Sequence, residues 1–240
     1  MLKRLFCSLA LLLLAHQVPA ATADFVMVAP LNQTMPLAQY DNGKLTGGIL
    51  KDLGETLSHR LGRNPEFLSV AGDSTAAALL DGRADGLCFV LPQWIDGDFN
   101  WTVPFMSDAE MVVSRKNAKP VRALRDLAYR NVGAVKAYRY PRVEQVLGAR
   151  LHRIDYPTTD INLRKLLDGE VEHALLSRTA VEFHNANDRA HPLRPDLTIA
   201  VFQAQCAFSK RSDAAFADVE RAFNLMLKDG TVERIISRYR

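Results

Sequence analysis

Asp41-Asn-Gly-Lys-Leu-Thr-Gly-Gly-Ile-Leu-Lys-Asp-Leu53 is the stretch of sequence that decides the fold. Asn42-Gly43 predicts a tight turn, because Asn and Gly both tolerate positive φ angles. A short extended segment follows, and Gly47-Gly48 then runs straight into a helix. That helix carries apolar residues at helical spacing, namely Ile49, Leu53, Leu57 and Leu61. The order of turn, extended segment and amphipathic helix indicates the start of an α/β arrangement.

Outward from this stretch, short apolar segments alternate with helical ones. The order strand, helix, strand, helix, strand over 25–29, 48–61, 65–70, 74–80 and 84–91 predicts a mostly parallel sheet with crossover helices. The alternation then restarts after an extended segment over 110–115. We predict helices over 121–127, 141–148, 159–167, 179–186, 212–228 and 230–239, strands over 131–135, 151–156 and 171–177, a loop over 188–197 and an extended segment over 198–209.

One phrase occurs twice in the chain. LLDGRADGLCFVL at 79–91 and LLDGEVEHALLSR at 166–178 each contain a helix end, an Asp-Gly turn and a buried strand. Two copies of one supersecondary unit predict two similar lobes.

The N-terminal segment has the features of a secretory signal. Lys3 and Arg4 precede an apolar run over 5–15, and Ala21-Thr-Ala23 offers small residues for cleavage. The run is too short to span a bilayer. We therefore expect residues 1–23 to be removed and the remaining 217 of the 240 residues to be periplasmic.

The charge balance excludes a strongly basic protein. Lys3 and Arg4 are two of the 30 basic residues, so 28 remain against 27 acidic residues, a net charge of +1. This near-neutral balance gives no indication of a nucleic-acid or membrane-surface partner. We expect a monomer that binds a small molecule.

Two cysteines remain after the signal, Cys88 and Cys206. An even number of cysteines in an oxidising compartment is compatible with a disulfide, and two buried thiols within apolar strands are the alternative.

Catalytic and metal-binding patterns are absent from the sequence. The histidines after the signal show no metal-ligand spacing: His59, His152, His173, His184 and His191. There is no nucleophile elbow and no glycine-rich dinucleotide motif. We expect neither cofactor nor metal, and a binding protein in preference to an enzyme. Acid–base candidates, if there were catalysis, are Glu110, Asp160, Glu170 and Glu172.

Taken in order, these segments resemble the type II periplasmic solute-binding proteins of the polar-amino-acid class. The segments that carry the resemblance are 41–47, 79–85, Trp101-Thr-Val-Pro-Phe105, Asp126-Leu127, 131–135, 166–169 and 227–239. The resemblance implies two α/β lobes, residues 24–110 with 203–240 and residues 111–202, joined by two extended crossings. It implies a ligand cleft, an inner-membrane ABC permease as partner, and neighbouring strands for Cys88 and Cys206, which favours their disulfide.

The sequence departs from that class where amino acids are recognised. Members hold the ligand carboxylate with an arginine after the third strand and the ammonium with a late aspartate. Here no Lys or Arg occurs between Arg83 and Arg115, and the aspartate region reads Ser177-Arg178. An ordinary amino acid is therefore not the expected ligand.

Other residues are candidates for ligand contacts. Lys136, Arg139 and Arg178 are candidates for holding an anion, near a helix start at Pro141; solvated surface charges are the alternative. Trp94 and Trp101 would suit a ring or a cationic ligand, or pack beneath a loop. The remaining candidates are Thr34, Gln93, Tyr138, Tyr140 and Ser177.

We therefore expect a periplasmic protein that closes on a small polar or anionic solute for ABC-type uptake. One alternative is a sensor or scaffold of the same fold without a transporter. The other is a periplasmic enzyme of this fold, such as a dehydratase, with Glu110 or Asp160 as its carboxyl group.

Overall fold

The computed structural model describes residues 23–240. The expected signal segment, apart from Ala23, lies outside these residues. The strands are β1 Asp24–Pro30, β2 Gln39–Asp41, β3 Lys44–Gly47, β4 Asn64–Val70, β5 Gly86–Val90, β6 Asn100–Trp101, β7 Met106–Arg115, β8 Asn131–Val135, β9 His152–Tyr156, β10 His173–Ser177 and β11 Leu193–Phe208. The helices are α1 Ile49–Arg60, α2 Thr75–Leu80, α3 Pro141–Leu147, α4 Thr159–Asp168, α5 Arg178–Asn187, α6 Phe216–Lys228 and α7 Thr231–Ser237.

One mixed sheet runs through the described part of the chain. Its strand order is β4-β1-β5-β11-β7-β10-β8-β9, with β6 attached to β11. The pairs β1–β4, β1–β5, β8–β10 and β8–β9 are parallel. We call β4, β1 and β5 with their helices the β1 half, and β10, β8 and β9 with theirs the β8 half. The predicted parallel strand–helix alternation is confirmed in both halves.

Two long strands join the halves. β7 and β11 pair antiparallel from Leu193–Arg115 to Ala204–Met106, and β11 continues into pairing with β5. On its other side β7 pairs antiparallel with β10. Each strand therefore passes from one half to the other, as expected of the two extended crossings.

Each half has its own apolar core. In the β1 half, Phe25 and Leu53 pack with Phe208 and with Phe223 of α6. In the β8 half, Val112, Leu127, Val132 and Leu175 are buried together. The apolar clusters of one half are separate from those of the other, so the space between the halves is free to take another role.

Cys88 and Cys206 form a disulfide between β5 and β11. The two residues face each other in the antiparallel register, with Cα atoms 4.0 Å apart. The pairing favoured by the resemblance is thus present in the structure.

Several sequence-based boundaries were wrong. The predicted loop over 188–197 contains the start of β11 at Leu193. Pro195 is compatible with this strand because it lies where the register shifts, a position that tolerates a missing N–H. The extended segment predicted from 110 begins at Met106, and the helix predicted from 212 begins at Phe216. Residues 121–127 form only a 3-10 turn over Leu124–Leu127.

A buried polar network lies within the β8 half. The Ser114 hydroxyl donates to Asp196 Oδ2 over 2.6 Å and lies 2.7 Å from His173 Nδ1. Burial and the nearby Arg130 guanidinium lower the pKa of His173 below its usual value of 6.5. Because the hydroxyl lies between the imidazole and the carboxylate and is fully buried, this arrangement supports the fold and does not resemble a nucleophile.

Among residues 23–240, no helix combines the length and the apolar character that crossing a membrane requires.

Candidate functional site

A cavity of about 130 Å³ lies between the two halves. It is reached by the carboxyl ends of β1, β5, β8 and β10, the edge at which open α/β sheets usually bind ligands. Asn32, Leu87 and Val90 line it from the β1 half, whereas Val135 and Leu175 line it from the β8 half. Because the lining is mostly apolar with a few polar groups, the cavity has the composition of a small-molecule site.

Three aromatic side chains form one wall of the cavity. The ring of Phe202, from β11, lies 4.8 Å from that of Trp94 and 5.9 Å from that of Phe89, both edge to face. These pairings hold the rings in place and present π surface to a ligand. We call Phe89, Trp94 and Phe202 the aromatic wall.

Two cavity residues have left-handed backbone conformations. Phe89 has φ 61° and Ala137 has φ 69°, unusual for residues other than glycine. Phe89 lies where the β5–β11 register shifts, so that Cys88 and Val90 pair with consecutive residues of β11. A β-bulge at this position explains how a strand residue turns toward the cavity. Such strained residues are concentrated at functional sites.

Tyr138 and Tyr140 line the cavity from the β8 half, on the loop after β8. Burial raises the pKa of both phenols well above the usual value of 10. The Tyr138 hydroxyl is buried without a hydrogen-bond partner among residues 23–240. The nearby Thr159 hydroxyl already donates to the Asn32 carbonyl over 2.9 Å. The Tyr138 hydroxyl is thus a buried polar group beside Thr159 on the cavity wall.

Glu110 supplies a carboxyl group to the cavity from the middle of β7. Burial raises the pKa of this carboxyl to about 7. Its side chain forms no hydrogen bond or ion pair within the described part of the chain. Sequence reasoning named Glu110 only as a catalytic candidate, since a lone Glu in an extended segment gives no sign that it faces a cavity.

The structure brings six of the ten predicted ligand-binding residues to the cavity: Thr34, Trp94, Tyr138, Arg139, Tyr140 and Ser177. The other four, Gln93, Trp101, Lys136 and Arg178, do not line it. Gln93 and Lys136 are exposed, the Trp101 ring packs against Phe99, and Arg178 donates to the Ser107 carbonyl over 3.0 Å. Of the three residues predicted to hold an anion, Lys136 and Arg178 therefore do not line the cavity.

Two contacts connect the halves at the cavity. Arg139 Nη2 lies 3.0 Å from Asp96 Oδ2, and both side chains are largely exposed. On the other side, the Thr159 backbone N–H and hydroxyl both donate to the Asn32 carbonyl, over 3.0 and 2.9 Å. Because these contacts link residues of different halves, the structure shows the two halves closed on each other.

The other acid–base candidates lie on the surface. Asp160 pairs with Arg164, Glu170 pairs with Lys165, and Glu172 is exposed beside Arg130. Of the four carboxyl groups named from the sequence, only Glu110 lines the cavity. In the described residues no group of three or more His, Cys, Asp or Glu side chains is placed to hold a metal ion.

Sequence comparison identifies the family. The model of the bacterial extracellular solute-binding proteins, family 3, matches residues 26–240. The chain belongs to this family. No curated protein matches it in sequence.

Solved structures of amino-acid-binding proteins share the fold. A mutant of ArgBP from T. maritima superposes with a TM-score of 0.76 at 15% identity, covering 90% of this chain and 95% of that one. The arginine-, lysine-, histidine-binding protein ArtJ from Geobacillus stearothermophilus gives 0.75 at 18%, covering 90% and 94%. AncCDT-1, an ancestral amino-acid-binding protein described as a precursor of cyclohexadienyl dehydratase, gives 0.76 at 15%, covering 90% and 95%. The fold is that of type II periplasmic binding proteins, as the resemblance implied.

Proposed function

We propose that this protein is a periplasmic solute-binding protein that closes on a small molecule with an apolar or ring-shaped body. Its lobes would be residues 24–110 with 203–240 and residues 111–202. The proposal rests on one observation: the cavity is lined by both halves at the carboxyl ends of their strands. A ligand there would contact both lobes and stabilise their closed arrangement.

The expected anionic solute fits the cavity less well than a largely apolar one. Glu110 is an acid, Arg139 is paired with Asp96, and most of the remaining lining is apolar or aromatic. The family assignment supports delivery of the bound solute to an ABC permease of the inner membrane.

The purified protein is expected to carry a small molecule that is lost on unfolding. Native mass spectrometry before and after denaturation and refolding would detect it. Returning the recovered solute to the refolded protein at 100 times its Kd should add about 2.7 kcal/mol to the free energy of unfolding.

A wide metabolite screen by thermal shift on the same refolded protein provides the second arm. Solute recovery or a screen hit supports a binding protein. If no solute is recovered and no metabolite raises the melting temperature, the proposal is contradicted.

A second candidate function is an enzyme that uses Glu110 as acid or base. A carboxyl with a pKa of about 7 in a desolvated cavity is suited to proton transfer near neutral pH. AncCDT-1, a precursor of cyclohexadienyl dehydratase, links this fold to a dehydratase. Conversion of a bound compound to a product lighter by one water, abolished in Glu110→Gln with binding retained, would establish this function.

A further inference from the structure

We propose that the ligand is an organic ammonium ion, a primary amine on a single-ring or short apolar body without a carboxylate, held at Glu110 beside the aromatic wall. The inference rests on the proposed function and names the chemical class of its solute.

The polar groups available in the cavity are suited to a hydrogen-bond donor. The Glu110 carboxylate accepts only, and it has no partner in residues 23–240. Asn32 also lines the cavity, and its Oδ1 is buried without a partner in the described chain, as is the Tyr138 hydroxyl. A protonated amine has three donors and no acceptor, so it can satisfy such a set of oxygens.

Backbone N–H groups at the starts of α4 and α5, which could otherwise hold a carboxylate, are already engaged. The backbone N–H of Thr159, at the start of α4, donates to the Asn32 carbonyl. At the start of α5, the N–H of Thr179 donates to Asp108 Oδ1 and that of Ala180 donates to the Ser177 hydroxyl. The starts of α4 and α5 are therefore not free to bind an anion.

Among residues 23–240, Arg139 is the one cationic side chain that lines the cavity, and it is also engaged. Arg139 is directed to Asp96 at the mouth, leaving Glu110 as the group that determines the charge preference of the interior. A zwitterion would bring a second carboxylate into a mostly apolar cavity that already contains Glu110, which is costly. An amine without a carboxylate avoids that cost.

Size and surface agree with a compact cation. The cavity of about 130 Å³ compares with cavities of roughly 150 Å³ that accept benzene. Aromatic faces attract ammonium groups, most strongly when both are removed from water. The tyrosines opposite the aromatic wall enclose the ligand from the β8 half.

Titration of Glu110 provides a signature for this site. The groups around it are Tyr138, Arg139 and Tyr140 from the loop after β8, Ser177 from β10 and Ala200 from β11, which pair with it in the sheet. Because the pKa of the carboxyl is raised to about 7, Glu110 is mostly neutral at pH 6 and mostly charged at pH 8. An amine similar to that of lysine stays protonated at both, with a pKa of about 10.4. Affinity for a cation should therefore rise with pH.

The test uses four compounds with the same ring: phenethylamine, phenylalanine, 3-phenylpropionate and 2-phenylethanol. Calorimetry on refolded protein at pH 8 should show the tightest binding for phenethylamine. Its Kd should be about tenfold higher at pH 6, from the ionised fractions of a group of pKa about 7. Glu110→Gln should weaken phenethylamine at least tenfold at pH 8 and remove the pH dependence. The control Glu66→Gln, an exposed change on β4, should alter neither.

Each other outcome overturns the inference. Tighter binding of phenylalanine or 3-phenylpropionate would show that a carboxylate is recognised. Phenethylamine binding that is unaffected by pH in the wild type would remove Glu110 from the site even if Glu110→Gln did not fold. If none of the four compounds binds but the metabolite screen gives a hit, the inference of an amine ligand is contradicted and the proposed solute-binding function is retained. If neither the calorimetry nor the metabolite screen detects binding, both the amine ligand and the solute-binding function are contradicted.

Discussion

Reduction of the Cys88–Cys206 disulfide is expected to lower the free energy of unfolding by about 2–5 kcal/mol. The bond joins residues 118 apart in sequence, so it restricts a long loop in the unfolded chain. It also joins β5 to β11, the strands that carry Phe89 and Phe202 of the aromatic wall. Urea unfolding with and without a phosphine reductant measures the difference.

A double variant, Cys88→Ser with Cys206→Ser, is the control for the reductant. It should be about as unstable as the reduced wild type and should not respond to reductant. Equal midpoints for oxidised and reduced wild type would contradict a stabilising role for the bond.

The second large effect is expected at Asp196. Its carboxylate accepts from the Ser114 hydroxyl, from the Val121 backbone N–H over 2.9 Å and from the Arg194 guanidinium over 2.5 Å. The Asp196 side chain is nearly fully buried, at 3% exposure, so Asp196→Ala leaves several donors without an acceptor. We expect a loss of about 3 kcal/mol in the free energy of unfolding at pH 7. Urea denaturation followed by circular dichroism measures it.

An exposed Asp in the neighbouring loop provides the matched control. Asp188 pairs with His191 over 3.1 Å at the surface, so Asp188→Ala should lower the free energy of unfolding far less than Asp196→Ala does. Similar losses for the two variants would contradict the importance of the buried network.

The effect of Asp196 should depend on pH in a defined direction. Burial opposes ionisation of this carboxyl, but hydrogen bonds from Arg194, Ser114 and Val121 outweigh it and hold its pKa below the usual 3.8. The carboxylate therefore stabilises the folded state fully above the unfolded pKa, and this contribution is lost as pH falls through the folded pKa. The gap between wild type and Asp196→Ala should narrow below about pH 3.8.

Local patterns in the sequence were sufficient for the architecture. The Asn42-Gly43 turn joins β2 to β3, with φ of 47° and 77°, and α1 begins immediately after Gly48 as predicted. These elements depend on turn chemistry and on apolar spacing within a few residues. The start of β11 was missed because its polar, proline-containing sequence is stabilised by pairing with β7, a long-range contact that no local pattern records.

The cavity was predictable only in part, for the same reason. Trp94 and the tyrosines stood out by residue type, and the loop over 136–140 stood out by its place before a helix. Glu110 and Phe202 lie on the two crossing strands, and their direction depends on the register of those strands. Phe89 reaches the cavity through a bulge. None of these three positions carries a local signal of a site.

The central claim is that the ligand binds between the halves, and the two tryptophans of this chain provide its most direct test. Trp94 lines the cavity, whereas Trp101 packs against Phe99 outside it. Trp101→Phe and Trp94→Phe therefore leave one reporter in each place. Titrating the solute recovered from the protein should change the fluorescence of Trp101→Phe and leave that of Trp94→Phe unchanged. Binding detected by calorimetry with no change at Trp94, or with equal changes at both positions, would contradict the account.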